Sequence, residues 1–579
     1  MTRPSREPDL ASGHPSPIIV ESRRLMGPNL MHAGLGAVLD VVLDDASAMR
    51  NASLLRAWHA RVAELTRALG WPDAVTSERV YPGGASLFVH APVDQLMTAT
   101  DVCESAWISS ELAHGGPARD AAGATIDALR LLASTEACPA FVALWDEGQR
   151  RGLNVTFDER SACIGSGSGA QCWSVRDIPA IESIDWGCVR DIPIVLVTGS
   201  NGKTTVVRMV AAMARAAGHV VGHTCTDGVW IGDAQVESGD WSGPVGARRV
   251  LQDPTVTFAV LETARGGILR RGLAVQHASV AAVVTLSPDH FGDYGINDLE
   301  TLAEVKLIVG SAVKDHGLLV VNAGVPSLVQ ATASYAGRMA TVAVQHDSAS
   351  EAAHPSFTWT SSRDLQLTAQ ELARIPATLG GSATHNVLNA LIAATVAAEL
   401  QLGDAARAAL LRFGADTRDN MGRLMVRDVG GVTVVIDYAH NPQSVAALID
   451  ATRGISAMRR AVSLGTGGDR DDVALRAMAA AAVASGIIDL FIAKEMPKFL
   501  RGRAPGSISG ELLDALRALG VPDSQVASAP DDISAVRHAL TWARTGDLLL
   551  LAVHDQRDDV LQLVERCTTS GWTPGTKLP

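Results

Sequence analysis

Basic residues are in deficit in this sequence. Forty-nine Lys plus Arg face 62 Asp plus Glu, a formal net charge of −13. A duplex nucleic-acid partner is disfavoured by that balance, because phosphate binding on such a scale relies on an excess of basic surface. A localised anion site is untouched by it, since backbone amides and one or two cations suffice. Cysteine is also scarce: seven are scattered along the chain with no C-x-x-C pair. That usage predicts reduced thiols rather than a disulfide framework or a zinc site. No apolar run reaches the roughly 18–20 residues that span a bilayer. Residues 1–22 carry Pro, Glu and Asp and lack the apolar stretch of a secretory signal. A cytoplasmic protein without a membrane partner is expected. Phe and Tyr number only 9 and 4, yet the hydrophobic fraction is 47%, which excludes disorder over most of the chain.

A length of 579 residues exceeds what one core holds. Three domains are expected, at 1–187, 188–418 and 419–579. The first reads as α+β, with helical stretches at 57–69, 95–112 and 121–132 and an alternating strand at 85–89. The stretch 164–170, Ile-Gly-Ser-Gly-Ser-Gly-Ala, reads as a flexible end to it. Beyond 191, short apolar runs at 192–198, 258–262, 280–286 and 318–322 alternate with helical segments, the last being 385–399. This alternation predicts a parallel sheet covered on both faces. A third, Rossmann-like unit follows, with strands at 432–438, 461–464, 490–493 and 548–553 and helices at 442–452 and 473–484. The fold class is therefore α/β, with a separate α+β domain in front.

The segment Val197-Thr-Gly-Ser-Asn-Gly-Lys-Thr-Thr205 carries the strongest chemical signal. A buried strand ends, a Gly-rich turn follows, and a helix begins at Lys203. Gly199 and Gly202 allow a tight turn that aims successive N–H groups, around Asn201, at phosphate oxygens. Lys203 adds positive charge, and the hydroxyl of Thr204, with Thr205 beside it, suits a magnesium ion. The strict P-loop pattern has Gly where Val197 stands, so this is a variant loop. A nucleoside triphosphate, ATP, is the expected ligand.

The variant Thr-Gly-x-Asn-Gly-Lys-Thr-Thr resembles the loop of Mur ligases and folylpolyglutamate synthases, ATP-dependent enzymes that activate a carboxylate as an acyl phosphate for attack by an amine. Further matches follow in order. Glu262, in Leu-Glu-Thr-Ala-Arg-Gly-Gly, resembles an acidic residue that helps hold a second Mg²⁺, and Asp289-His290 resembles an Asp-His pair whose His is a metal ligand. Lys306 falls where the family has a carbamylated lysine. Asn322 resembles an adenine-contacting Asn, and His385-Asn386 with Asn389 resembles a His-Asn-x-x-Asn motif. Gly422-Arg423 resembles the Gly-Arg that opens the C-terminal domain. Asp437-Tyr-Ala-His440-Asn-Pro and Gly465-Thr-Gly-Gly-Asp-Arg-Asp471 resemble two more signatures. Gly324 departs from the family's usual Asp.

Within the family, the run 262–273 and Leu500-Arg-Gly-Arg-Ala-Pro-Gly506 resemble the Mur-like half of cyanophycin synthetases. Weaker matches at Gly27-Pro-Asn-Leu30 and 152–167 extend the likeness to their N-terminal domain. Those enzymes place an ATP-grasp domain between the two parts; here only a short connection stands there. The resemblance therefore implies the second of their ligations, Arg onto an aspartyl β-carboxylate, and not the first.

The implied roles suit the residue types. Phosphoryl transfer to a carboxylate brings two anions together, and Mg²⁺, Lys203 and oriented amides cancel the repulsion. Thr204 and Glu262 offer oxygen ligands for one ion; His290 and a Lys306 carbamate would serve a second. Asp437 and His440 would face the ATP and the acyl phosphate, and Arg423 the ribose or phosphates. Arg501 and Arg503 would recognise a substrate carboxylate, although each also reads as a solvated basic residue. The expected partners are an amino acid and a peptide-like or small-molecule acceptor, and self-association into a homo-oligomer is expected too. The competing reading is a non-catalytic partner of a full-length cyanophycin synthetase. Ligase activity that depends on Lys203 separates the two.

Overall fold

The computed structural model describes residues 18–71, 74–115, 124–288, 291–346 and 357–579. In the amino-terminal part, four antiparallel strands form a sheet in the spatial order Ile19–Leu25, Gly36–Val42, Gly84–His90, Thr76–Tyr81. The two inner strands are almost wholly buried under the helices Ala48–Ala68 and Leu96–Ala113, whose Trp58 and Trp107 are fully enclosed. Helix Ala48–Ala68 starts well before residue 57; its first turns, with Arg50 and Asn51, bury no residue before Leu54 and so carry no apolar periodicity.

A second small sheet joins Val155–Phe157, Ser161–Ile164 and Gln171–Ser174. Here two sequence expectations are corrected. Cys163 and Cys172 lie directly opposite one another on adjacent antiparallel strands and form a disulfide, so not all the thiols are reduced. Pairing across a hairpin brings together cysteines whose spacing in the sequence carries no recognised motif. The stretch 164–170 is likewise not a flexible linker. Ser166, Gly167 and Gly169 are buried, and Ser166 and Ser168 donate backbone N–H groups to Arg190 O (3.1 Å) and Val256 O (2.7 Å). Its glycines serve close approach: a Cβ on Gly169 would lie 2.4 Å from Arg190 O.

Next comes a sheet of nine strands among the described residues. Six of them are mutually parallel, with Ile194–Thr198 between Phe258–Glu262 and Ala278–Val283. From Ile194–Thr198 the chain crosses to Val221–Cys225 on one side, returns to Phe258–Glu262, and then passes over Ile194–Thr198 to Ala278–Val283 on the other side, a reversal that opens a crevice at its carboxyl end. Val195 and Val197 face one hydrophobic layer with the helices Lys203–Ala216 and Thr384–Glu399. Ile194 and Leu196 face the other, with Leu299–Ser311. Burial on both faces explains the uninterrupted apolar runs in the sequence.

The carboxy-terminal sheet orders its six strands as Met425–Val429, Val432–Asp437, Leu548–Ala552, Arg460–Leu464, Leu490–Lys494, Val526–Ala529. All pairs but the first are parallel. Helix Pro442–Thr452 starts on a capping box in which the Asn441 side chain accepts from the Ser444 N–H. Among the described residues, no single helix is long and apolar enough to cross a membrane.

Candidate active site

A cleft of about 650 Å³ lies between the carboxyl end of the central sheet and the third domain. Its floor is the loop 199–202. Gly202 adopts φ +86°, and a Cβ there would stand 2.5 Å from Asn389 Oδ1, so only glycine fits on both counts. The loop is pinned from the next strand: Ser200 N donates to Thr285 O (2.8 Å) and Asn201 N to Thr285 Oγ1 (2.9 Å). The amino terminus of Lys203–Ala216 points into the cleft, which is the arrangement that attracts phosphate.

Thr204 Oγ1 donates to Glu262 Oε2 at 2.8 Å, and Thr226 Oγ1 to Glu262 Oε1 at 3.1 Å. Lys203 Nζ stands 4.0 Å from the same carboxylate and donates to Ser200 O at 3.0 Å. A hydroxyl and a carboxylate held together at a phosphate-binding loop are a donor set that fits a magnesium ion. Lys306 is buried on helix Leu299–Ser311, and its Nζ donates to Gly199 O at 3.0 Å. Asp289 and His290 lie outside the described residues. Among the described residues there is no group of three or more His, Cys, Asp and Glu placed to hold a metal.

From the third domain, Asp437, His440, Arg423 and Arg501 line the cleft. Burial pushes the Asp437 carboxyl up, against the Arg423 guanidinium and the Leu424 N–H, which donates to it at 2.7 Å. Arg423 stacks on the Tyr438 ring at 4.0 Å from its centroid. His440 Nδ1 donates to Tyr438 O at 3.1 Å. His385, at the start of Thr384–Glu399, lines the cleft and is pushed down to about 4 by burial. Asn386 and Asn389 also line it and bond to each other at 3.0 Å.

Two of the residues named from sequence are placed elsewhere. Asn322 is buried at the end of Val313–Asn322, does not line the cleft, and accepts the Gly324 N–H at 2.9 Å. Arg503 donates to Gly468 O (3.2 Å) and Arg470 O (2.6 Å) and pairs with Asp472 (2.8 Å). It supports the 468–472 turn from outside the cleft.

The structure adds residues that no local pattern reveals. Asp227 receives Arg208 of the phosphate-loop helix at 2.6 Å and Arg557 of the third domain. Burial would raise its carboxyl, but Arg423, Arg208 and Arg557 outweigh that and hold it below its ordinary value. Arg208 also donates to Met421 O at 2.9 Å. Arg265 and Arg270, from helix Arg265–Arg271, line the opposite wall with Asp240 and Asp293.

Residues 197–397 match the Mur ligase middle domain, and residues 422–552 match the Mur ligase glutamate ligase domain. A cyanophycin synthetase of Trichormus variabilis is 34% identical over 62% of this chain and 41% of its own. A UDP-N-acetylmuramoyl-L-alanyl-D-glutamate–2,6-diaminopimelate ligase of Corynebacterium efficiens is 26% identical over 63% of this chain and 69% of its own. A solved structure of a bifunctional folylpolyglutamate synthase/dihydrofolate synthase from Yersinia pestis, with AMPPNP and Mn ion, covers 64% of this chain and 88% of its own at 19% identity and a TM-score of 0.44. The chain spans about two fifths of the length of the cyanophycin synthetases it matches. Through its middle and carboxy-terminal domains, the chain belongs to the Mur ligase family.

Proposed function

We propose that the protein is an ATP-dependent carboxylate–amine ligase that joins an amino acid, arginine, to an aspartyl carboxylate of a peptide-like acceptor. The observation that carries this reading is the meeting of two half-sites in one cleft. The phosphate loop with Thr204 and Glu262 comes from the middle domain, and Asp437, His440 and Arg423 come from the third. A simple ATPase needs only the first half. The arginine and aspartate come from the likeness to cyanophycin synthetases, at 34% identity.

In this reading the loop amides and Lys203 hold the ATP phosphates, and His385, Asn386, Asn389 and Arg423 flank the nucleotide. A magnesium ion would rest on Thr204 and Glu262, where it supplies positive charge against the phosphates. The acceptor carboxylate oxygen attacks the γ-phosphorus, its bond to the β-bridging oxygen breaks, and ADP leaves. The amine then attacks the acyl carbon, phosphate departs, and the amine loses a proton. Lys306, which lines the cleft with its Nζ on Gly199 O, would neutralise the incoming carboxylate as an ammonium. His440, which lines the cleft from the third domain, would receive the amine proton. Arg501 offers a fork to the amino acid's own carboxylate.

ADP and phosphate release, measured over a set of amino acids and acceptors, tests the proposal. Turnover that requires both an acceptor and an amine supports it. No acceptor-dependent turnover, with Lys203→Ala indistinguishable from the unaltered protein, overturns it.

A further inference from the structure

The wall of the cleft that faces the phosphate loop carries Arg265 and Arg270 on the seven-residue helix Arg265–Arg271, and Asp293 on the turn that follows residue 290. Both elements bury apolar side chains in the core of their own domain, Ile268 and Leu269 from the helix and Ile296 after the turn, but leave backbone carbonyls to be satisfied from outside. The helix is only two turns long, so most of its terminal carbonyls lack partners within it. The turn holds Tyr294 at φ +55°, a conformation that a non-glycine residue leaves readily when unsupported, between Gly292 and Gly295, which adopt positive φ freely.

The missing partners come from the amino-terminal domain. Arg23 Nε donates to Leu269 O at 3.1 Å, and Met26 N donates to Arg271 O at 2.8 Å, which satisfies two carbonyls at the end of the helix. Arg79 spreads its guanidinium over two consecutive carbonyls of the turn, Tyr294 O at 2.7 Å and Gly295 O at 3.0 Å. The Tyr294 ring lies under Arg23, 4.6 Å from guanidinium carbon to centroid, and its hydroxyl links Arg270 (2.9 Å) to Glu21 (3.1 Å). Arg23 is itself fixed by a buried ion pair with Asp40. At the far end, Arg265 pairs with Asp293 at 2.6 Å and ties helix to turn. The backbones touch closely as well: a Cβ on Gly27 would stand 2.1 Å from Leu273 O.

We infer that the amino-terminal domain sets the geometry of this arginine-bearing wall, with Arg79 and Arg23 as positioning residues for the acceptor side of the cleft. The phosphate loop is held by a different set of bonds, from Thr285, Ser287 and Lys306, none of which comes from the amino-terminal domain. The inference rests on the ligase reading only in naming this wall as the acceptor's; the support itself is independent of substrate. Loss of Arg79 should therefore loosen the wall and spare the nucleotide half.

The test is amide hydrogen exchange on the full-length protein without substrates, comparing Arg79→Ala and Arg79→Lys with the unaltered chain. Exchange in peptides covering 265–273 and 291–296 should rise on the order of tenfold in Arg79→Ala, since two partly buried hydrogen bonds are lost. The rise should be smaller in Arg79→Lys, which keeps one donor, and peptides covering 199–206 should be unchanged. With an aspartyl decapeptide, arginine and ATP, the KM for the decapeptide should rise while the KM for ATP stays within about twofold. Unchanged exchange at 265–273 and 291–296, or a rise spread equally over the phosphate loop, overturns the inference. If the unaltered protein does not turn over the decapeptide, the ligase reading fails on that acceptor while the exchange result still decides the support.

Discussion

Asn441 donates from Nδ2 to Oδ1 of Asn201 at 3.0 Å, joining the turn that opens a helix of the third domain to the middle of the phosphate loop. The same Asn441 caps that helix, accepting from Ser444 N at 2.9 Å. Cap and bridge are thus one side chain doing two jobs, and substitution separates them. Serine is as good a cap as asparagine but is too short to reach Asn201. Asn441→Ser is expected to change unfolding stability by less than about 0.5 kcal/mol, while kcat falls about tenfold because domain closure loses its contact with the loop. Urea unfolding and steady-state turnover, measured side by side, check this.

Asp227 is the second point at which the domains lock. It is buried between Arg208 and Arg557, so Asp227→Ala leaves cations without their counter-charge. That substitution is expected to cost about 3 kcal/mol. Arg557 is 21% exposed, and Arg557→Ala is expected to cost about 1 kcal/mol or less. Equal costs in urea unfolding would show that the Asp227 carboxylate is not buried in solution.

Gly202 combines a positive φ with a wall of Asn389 and Val284 against its missing side chain. Gly202→Ala is expected to weaken ATP binding by at least about tenfold, since the loop must move away from the geometry that directs its amides. The far-ultraviolet circular dichroism should not change. Calorimetric titration with ATP reads the first effect.

His223 is buried, stacks on Trp230 with ring centroids 5.1 Å apart, and is pushed down to about 3 from 6.5 by burial and by Arg215 and Arg208. Its folded pKa lies below its unfolded one, so the folded protein keeps the ring neutral where the unfolded chain takes up a proton. The associated stability is full above pH 6.5 and is lost as the pH falls through the window between 6.5 and about 3. Between pH 7 and pH 5 the loss from this one group is roughly 2 kcal/mol. His223→Phe is expected to remove that share of the acid sensitivity in urea unfolding at the two pH values. An unchanged difference between pH 7 and pH 5 would contradict the buried neutral state.

What could be read from the sequence was what is contiguous. The phosphate loop announces itself because strand, turn and helix follow within a dozen residues, and each residue type answers a local demand of the turn. The doubly covered strands Ile194–Thr198 and Phe258–Glu262 were legible as apolar runs for the same reason. Asp227 was not, because its partners Arg208 and Arg557 lie on the phosphate-loop helix and in another domain, and a charge gives no periodic signal. The Cys163–Cys172 bond depends on a strand register that cysteine spacing does not encode. The 164–170 stretch misled because glycine serves flexible linkers and close packing alike. Arg503 sits beside Arg501 in the sequence, yet its guanidinium is taken up by Gly468 and Arg470 carbonyls and by Asp472.

The central claim is that one cleft makes an amide bond at the expense of ATP. Product mass after incubation with MgATP, an aspartyl decapeptide and arginine tests it most directly. The account predicts a decapeptide heavier by one or more arginine residues, each being free arginine less one water, with ADP and phosphate released in equal amount, and none of this in Lys203→Ala. An unmodified decapeptide alongside continued ATP hydrolysis, unaffected by leaving out arginine, would contradict it.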